Sequence, residues 1–241
     1  TTVTNFSSDL MGFDNLQAGA LRPWEGTGSY YEEPHLASFL GRVNYTYDDR
    51  YVLTVNARTD ASSKFGANHK WGFFPSVSAA WNVSNEQFMK QITWIDNLKL
   101  RLGYGLAGNQ GGIDSYTTMN LVRPNGVAPV GNSPVVTYET LRNINPDLKW
   151  EVKHTFNAGF DVGFYGNRLL LSVNYYNSKT TDMLYNYRVS VPPFTYNTLL
   201  ANIGSMRNSG TEISVGITPL KTKDMELNIN ANITFQKNKL L

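Results

Sequence analysis

The sequence predicts an all-β fold, an antiparallel up-and-down transmembrane β-barrel segment of about eight strands in four hairpins. Three observations predict it. From residue 38 to residue 241 apolar side chains recur at a period of two far more often than 3.6. The alternating runs come in pairs, joined in turn by short and long connections. Their polar positions hold Asn, Ser, Thr and Gly rather than the Lys and Glu of a water-facing sheet.

The first run sets Phe39, Val43, Tyr45 and Tyr47 against Ser38, Arg42, Asn44 and Thr46, and Asp48, Asp49 and Arg50 supply the turn. The return strand sets Tyr51, Leu53, Val55 and Ala57 against Thr54, Asn56, Arg58 and Asp60. After a polar loop at 61–70, a third strand carries Trp71, Phe73, Val77, Ala79, Trp81 and Val83 opposite Gly72, Ser76, Ser78 and Asn82, with Pro75 weakening it as a central strand. In the connection 84–97, Ser84 and Gln87 have the spacing of a capping box, which predicts one or two helical turns. A fourth strand opposes Leu98, Leu100, Leu102, Tyr104 and Leu106 to Lys99, Arg101, Gly103 and Gly105. Residues 109–148 show no sustained period and read as a long loop. The fifth strand starts at Trp150 and alternates Val152, Phe156, Ala158, Phe160, Val162 and Phe164 with Glu151, Lys153, Thr155, Asn157, Gly159 and Asp161. It turns at Gly166 and Asn167, residues that accept positive φ, into Leu169, Leu171, Val173 and Tyr175. A further loop at 188–208, with Pro192 and Pro193, precedes Ile213, Val215 and Ile217. The last hairpin turns at 221–224 into Leu227, Ile229, Ala231, Ile233 and Phe235, each followed by a polar residue.

The chain has 241 residues, with 21 Lys and Arg against 19 Asp and Glu, a net charge of +2 that is too balanced for a nucleic-acid binder. Aromatics reach 13% and charged residues only 17%, well under the usual quarter of a soluble domain. The absence of cysteine removes disulfides, thiolate metal sites and a cysteine nucleophile. No apolar run exceeds three residues, and Thr1, Thr2, Val3, Thr4 and Asn5 show neither a basic nor an apolar leader region. Neither a signal peptide nor a membrane-spanning helix is expected, which leaves closed β-structure as the way such a chain crosses a bilayer.

A soluble sandwich would bury apolar faces against each other, whereas a membrane barrel turns them to lipid and collects aromatics where strands meet headgroups. Tyr45, Tyr47 and Tyr51 near one turn, Trp71 and Phe73 at a strand start, and Phe164 and Tyr175 fit two such girdles. Short turns would lie on the periplasmic side and the loops 61–70, 109–148 and 188–208 outside.

Sites of chemistry are not expected. Gly103, Gly105 and Gly108 spell the dinucleotide spacing, but Asn109, Gln110, Gly111 and Gly112 follow where a helix must open, so the glycines read as lumen-side strand residues. His35, His69 and His154 have no partner at metal-ligand spacing, and no G-x-S-x-G occurs. The adjacent acids Glu32 and Glu33, and Asp48 and Asp49, read as solvated turn residues. No enzyme activity, catalytic residue, metal or cofactor is predicted.

The stretches WGFFPSVSAAW at 71–81, FMK at 88–90, WI at 94–95, NLKLR at 97–101, GYG at 103–105 and GNQ at 108–110 occur in one order with NPDLKWE at 145–151. NIGSMRN at 202–208, with Gly210 and Glu212, and PLKTKD at 219–224 continue that order. In this ordered set the chain resembles the barrel of SusC/RagA-type TonB-linked outer-membrane transporters over residues 39–241. The resemblance implies a barrel of roughly 22 strands closed by a plug, of which the eight or so strands here would be an open part. It divides this chain into an extracellular-loop-like segment at 1–37 and a partial barrel at 38–241, with the signal peptide and plug domain absent. It further implies uptake of a nutrient, most often a glycan oligosaccharide and sometimes a peptide, across the outer membrane of a Bacteroidetes-type bacterium. The partners it implies are a SusD-like surface lipoprotein, the TonB-ExbB-ExbD complex acting through the plug, and outer-membrane lipid.

Asn109 and Gln110 are the candidate ligand-binding residues, since they open the longest aperiodic segment and their amides donate and accept together. Two alternatives stand beside this reading. One is a self-contained eight-stranded outer-membrane barrel serving as anchor or adhesin, in which Arg42, Arg58 and Arg101 pair with Asp60, Glu151, Asp161 and Glu212 inside. The other is a soluble carbohydrate-binding β-sandwich.

Overall fold

The structure, a computed structural model, describes residues 2–6, 8, 10, 12–21 and 28–241. Residues 1, 7, 9, 11 and 22–27 of the expected 1–37 segment lie outside the described residues. The strands are β1 (Thr4–Phe6), β2 (Gly19–Leu21), β3 (Leu36–Tyr47), β4 (Tyr51–Ser62), β5 (Trp71–Asn82), β6 (Ile95–Asn109), β7 (Val122–Val130) and β8 (Ser133–Thr140). They continue as β9 (Glu151–Phe164), β10 (Leu169–Thr181), β11 (Leu184–Arg188), β12 (Thr198–Asn202), β13 (Met206–Lys221) and β14 (Glu226–Leu240).

Eight of them form one antiparallel sheet in the order β3, β4, β5, β6, β9, β10, β13, β14, each beside its neighbour in chain order once the three side hairpins β1–β2, β7–β8 and β11–β12 are set apart. The sheet is open: β3 and β14 are its two edges and do not pair. That overturns the closed eight-stranded barrel. No second large sheet packs on it among the described residues, and β3 and β14 are exposed along their whole length, which overturns the sandwich.

Register places side chains of one kind in rows. Tyr47, Tyr51, Trp81, Leu100, Phe160, Val173, Ile213 and Ile233 stand opposite one another across all eight strands. One residue along, Thr46, Arg101, Gly159, Asn174, Glu212 and Thr234 share a row on the other face. Because side chains alternate faces, these pairings put Val43, Tyr45, Val55, Leu100, Leu102, Phe160, Val162, Ile229 and Ile233 on one face. Asn44, Asn56, Arg101, Asp161 and Asn230 lie on the other, as the alternation predicts.

The apolar band crosses the sheet obliquely. On β3 and β5 it extends to Phe39 and Phe73, whereas on β14 it ends at Phe235, six residues nearer the short turns, and Lys237 follows. At about 3.3 Å per residue and 4.8 Å per strand this is a slope of roughly 30° between band and rows, close to the strand tilt of membrane barrels.

Short turns gather at one end. Asp48 and Asp49 both take positive φ, as do Tyr165, Gly166 and Asn167 in the turn between β9 and β10. The connection from β5 to β6 lies at the same end and holds the 3₁₀ turns Val83–Asn85 and Gln87–Gln91. The expected capping box does not form. Glu86 occupies the cap of the second turn with no side-chain cap bond, and Ser84 Oγ lies 3.5 Å from Asn97 Oδ1.

The long connections are more ordered than their sequence predicts. The 109–148 loop contains the hairpin β7–β8, whose Pro124, Pro129 and Pro134 interrupt alternation but are tolerated in a two-stranded ribbon, where each strand has a free edge. A register shift between Pro124 and Val127 is absorbed at Gly126, with φ of 109°. The 188–208 loop likewise holds β12, which pairs with β11, and β13 already begins at Met206.

Candidate binding surface

The polar face is a layer of amides, hydroxyls and charged groups, two of whose arginines are paired to acids. Arg101 Nε lies 2.7 Å from Asp161 Oδ2, and Ser172 Oγ donates to Asp161 Oδ1 at 2.6 Å. Arg58 Nε donates to both oxygens of Asp60, at 3.0 and 2.8 Å. Arg42 Nε donates to Asn56 Oδ1 at 2.6 Å, and Asn56 Nδ2 donates to Ser76 Oγ at 2.9 Å. Thr54 donates to Asn44 at 2.9 Å, and Asn174 Nδ2 lies 3.5 Å from Glu212 Oε2. With Arg58 and Arg101 paired to acids, much of what this face offers is neutral donors and acceptors. A groove of about 360 Å³ runs between Thr54, Ser78, Lys99, Arg101, Asn157 and Asn174. Gly105 keeps its neighbourhood open, since a Cβ there would stand 2.8 Å from Ser76 Cβ. Among the described residues no three His, Cys, Asp or Glu side chains gather as a metal group.

At the long-connection end the chain builds its own small core. Pairing of β5 with β6 stops at Ser76 and Gly105, next to Pro75, which has no N–H to give. Phe74 turns its ring into the gap that opens there and is buried with Phe65, Ile113, Leu148 and Trp150. The Trp150 ring lies 4.8 Å from Phe65 and 5.5 Å from Phe74, edge-on to the latter. Its Nε1 donates to Lys70 O at 3.1 Å. Trp150 is thus a loop anchor that precedes β9, rather than the first residue of the strand. Gly108 does not share the face of Gly103 and Gly105; a Cβ at Gly108 would overlap the Phe74 ring.

Three asparagines fasten the loops to one another. Asn143 Nδ2 donates to Tyr196 O and Thr198 O at 2.6 and 2.8 Å, while its Oδ1 accepts from Thr195 N and Tyr196 N. Asn145 Nδ2 donates to Leu200 O at 3.0 Å, and Asn202 Nδ2 donates to Lys149 O and Asp182 O, both at 2.8 Å. An amide side chain here does what an extra strand would do, satisfying backbone groups of β12 and its flanks. Period and composition alone assign these residues no role. The signal was present in the NPDLKWE and NIGSMRN stretches, where two of the three asparagines stand.

Asn109 closes β6 and is exposed. Its Oδ1 accepts from Gly111 N at 2.9 Å, and its Nδ2 donates to Glu151 Oε1 at 3.3 Å, so both ends of the amide hold the local turn. Gln110 is half-buried, and its Oε1 is shut off from solvent without a hydrogen-bond partner. The two candidates are adjacent in sequence but differ in state, one engaged in the local turn and one with a buried, unsatisfied oxygen. Beside the β7–β8 hairpin, Tyr30, Tyr31, Gln17 and Arg123 line a second groove of about 590 Å³, with Arg123 Nε paired to Glu139 at 2.7 Å.

At the short-turn end Glu86 gathers three donors: Tyr51 Oη at 2.8 Å, Trp81 Nε1 at 3.0 Å and Arg50 Nη1 at 3.1 Å. The Tyr51 hydroxyl first, then the Trp81 N–H, hold its carboxyl below the usual glutamate range, against the opposing effect of burial. Tyr51 and Trp81 stack at 6.2 Å and Trp94 on Phe164 at 5.6 Å, while Phe39 stacks on Trp71 at 6.2 Å at the opposite end of the band.

The TonB dependent receptor-like, beta-barrel family matches residues 2–240 of this chain. TonB-dependent receptor SusC of Bacteroides thetaiotaomicron is 34% identical over 236 residues, covering 90% of this chain and 23% of that protein. TonB-dependent receptor P26 of Formosa agariphila is 36% identical over 243 residues, covering 98% and 23%. The chain thus spans about a quarter of the length of the curated relatives it matches. Among solved structures, the RagAB peptide importer in the 'open-open' state is similar with a TM-score of 0.78 and 28% identity, covering 90% of this chain and 24% of that one. The siderophore receptor PirA from Pseudomonas aeruginosa, at 15% identity and a TM-score of 0.53, shares the fold alone.

Proposed function

This chain belongs to the TonB-dependent receptor β-barrel family and is of its SusC/RagA type, and we propose that it forms part of the wall of an outer-membrane transporter that imports a nutrient. The observation that carries the reading is the single eight-stranded sheet with one apolar face, crossed by an oblique band edged with aromatics at both ends. In this reading the apolar face meets lipid, the polar face lines the lumen and the asparagine-fastened loops stand outside the cell. The ligand is a glycan oligosaccharide, because exposed aromatic rings offer stacking to sugar faces while amides and hydroxyls bond their hydroxyl groups. Asn109 and Gln110 are the residues placed in contact with it. A SusD-like lipoprotein covers the outer mouth, and TonB, ExbB and ExbD supply work through a plug. No bond is made or broken. The similarity to the RagAB peptide importer favours a peptide as a second reading.

The test uses the full-length receptor with its lipoprotein, titrated with panels of oligosaccharides and of peptides, together with uptake in cells with and without TonB. Saturable oligosaccharide binding and TonB-dependent uptake are expected, with weaker binding and unchanged heat stability in the double variant Asn109→Ala, Gln110→Ala. Binding of peptides alone selects the second reading. Uptake that persists without TonB contradicts both.

A further inference from the structure

On the apolar face, beyond the end of the apolar band nearest the long connections, the register brings cations together. Lys179 of β10 stands directly opposite Arg207 of β13, and Arg207 directly opposite Lys239 of β14. Lys237, opposite Ser209, is two residues nearer the band on the same face and diagonal to Arg207. All four are exposed. Residues directly opposite on one face have Cβ atoms about 5 Å apart, and like charges so placed repel. None of the four takes part in an ion pair or side-chain hydrogen bond among the described residues, whereas Arg42, Arg58, Arg101 and Lys149 all have such partners. No acidic residue occupies this face of β10, β13 or β14 in these rows. The row continues on β9 with His154, whose Nδ1 is engaged by the Tyr104 hydroxyl at 2.9 Å.

The position of the cluster indicates its ligand. On β10 the last apolar residue of this face is Tyr175 and on β14 it is Phe235, so the cations begin within two to four residues of the band edge. Along tilted strands that is roughly 5–10 Å beyond the hydrocarbon edge, the level of lipid headgroups. Three cations side by side on a surface continuous with lipid match a multivalent, oxygen-rich anion held at fixed depth.

We propose that Lys179, Arg207, Lys237 and Lys239 form a site for a phosphate-bearing lipid headgroup of the leaflet on the long-connection side. The inference rests on the reading that the apolar face meets lipid. The site takes a membrane lipid rather than a transported solute, since it faces away from the polar side of the sheet.

The test uses the full-length receptor in nanodiscs of phosphatidylcholine containing a minor fraction of lipid A, with bound lipid counted by native mass spectrometry. Each cation near an anionic surface contributes about fivefold, so the triple variant Lys179→Gln, Arg207→Gln, Lys239→Gln should lower lipid A retention on the order of a hundredfold. Arg207→Lys should retain most of it, and Lys223→Gln at the short-turn end should change nothing. Barrel assembly, read as the heat-dependent shift in gel mobility, should be the same in all. Two results overturn the inference: equal retention by the triple variant, or displacement of lipid A by millimolar inorganic phosphate, which marks a soluble-anion site. A spin label at Leu102 in the same discs separates the two levels of the argument. Accessibility to oxygen there with unchanged lipid A retention rejects the headgroup site alone, while accessibility to a polar quencher rejects the lipid-facing reading and the site together.

Discussion

At the scale of single residues, the alternation in the sequence located faces well and located contacts poorly. Arg58 with Asp60 and Arg101 with Asp161 were legible because both members of each pair fall on polar positions of the same or nearby strands. Trp150 and Gly108 were not, because their roles depend on where β5 leaves β6, a feature set by the missing N–H of Pro75 and by loops distant in sequence. Gly108→Val forces a side chain into the Phe74 ring. The expected cost is about 1–3 kcal/mol of stability in the loop core, read as faster proteolysis of 110–150 with the wall still assembled. Glu86 makes a pH-dependent prediction. Its carboxyl titrates lower in the folded protein than in the unfolded chain, so its stabilisation is fully present above about pH 4.3 and is lost as the pH falls through the lower folded value. Trp81 fluorescence should therefore change on acidification below that point, and Glu86→Gln should remove that step.

At the scale of elements, all eight wall strands were readable, since each carries a long period-two pattern between turn residues. The two loop hairpins β7–β8 and β11–β12 were not, because prolines break the first pattern and the second is only five residues long on each side. Side-chain amides hold these short elements where a ladder is too brief. Asn202→Ala removes the donor to Lys149 O and Asp182 O and the acceptor for Lys149 N. It should destabilise the β11–β12 hairpin on the order of 1–3 kcal/mol, seen as faster amide exchange at Leu199 and Leu200 than in the wall strands. Exchange unchanged at those positions would show that the core around Leu148 suffices.

At the scale of the molecule, the class and the open sheet followed from composition, pattern and resemblance, whereas the ligand did not, because specificity resides in loop side chains that follow no period. The two edges leave rows of N–H and C=O groups unpaired, and one face of the sheet is apolar. Expressed alone, residues 1–241 should aggregate or require detergent, and sedimentation as a soluble, cooperatively melting monomer would contradict the wall reading. The most direct measurement of that reading is a spin-label scan along β14 from Leu227 to Lys237 in the full-length receptor in lipid. Accessibility to oxygen should peak at Leu227, Ile229, Ala231, Ile233 and Phe235, and accessibility to a polar quencher at the intervening residues and again at Lys237. A scan with no period of two, or one in which both sets report water, would contradict the account.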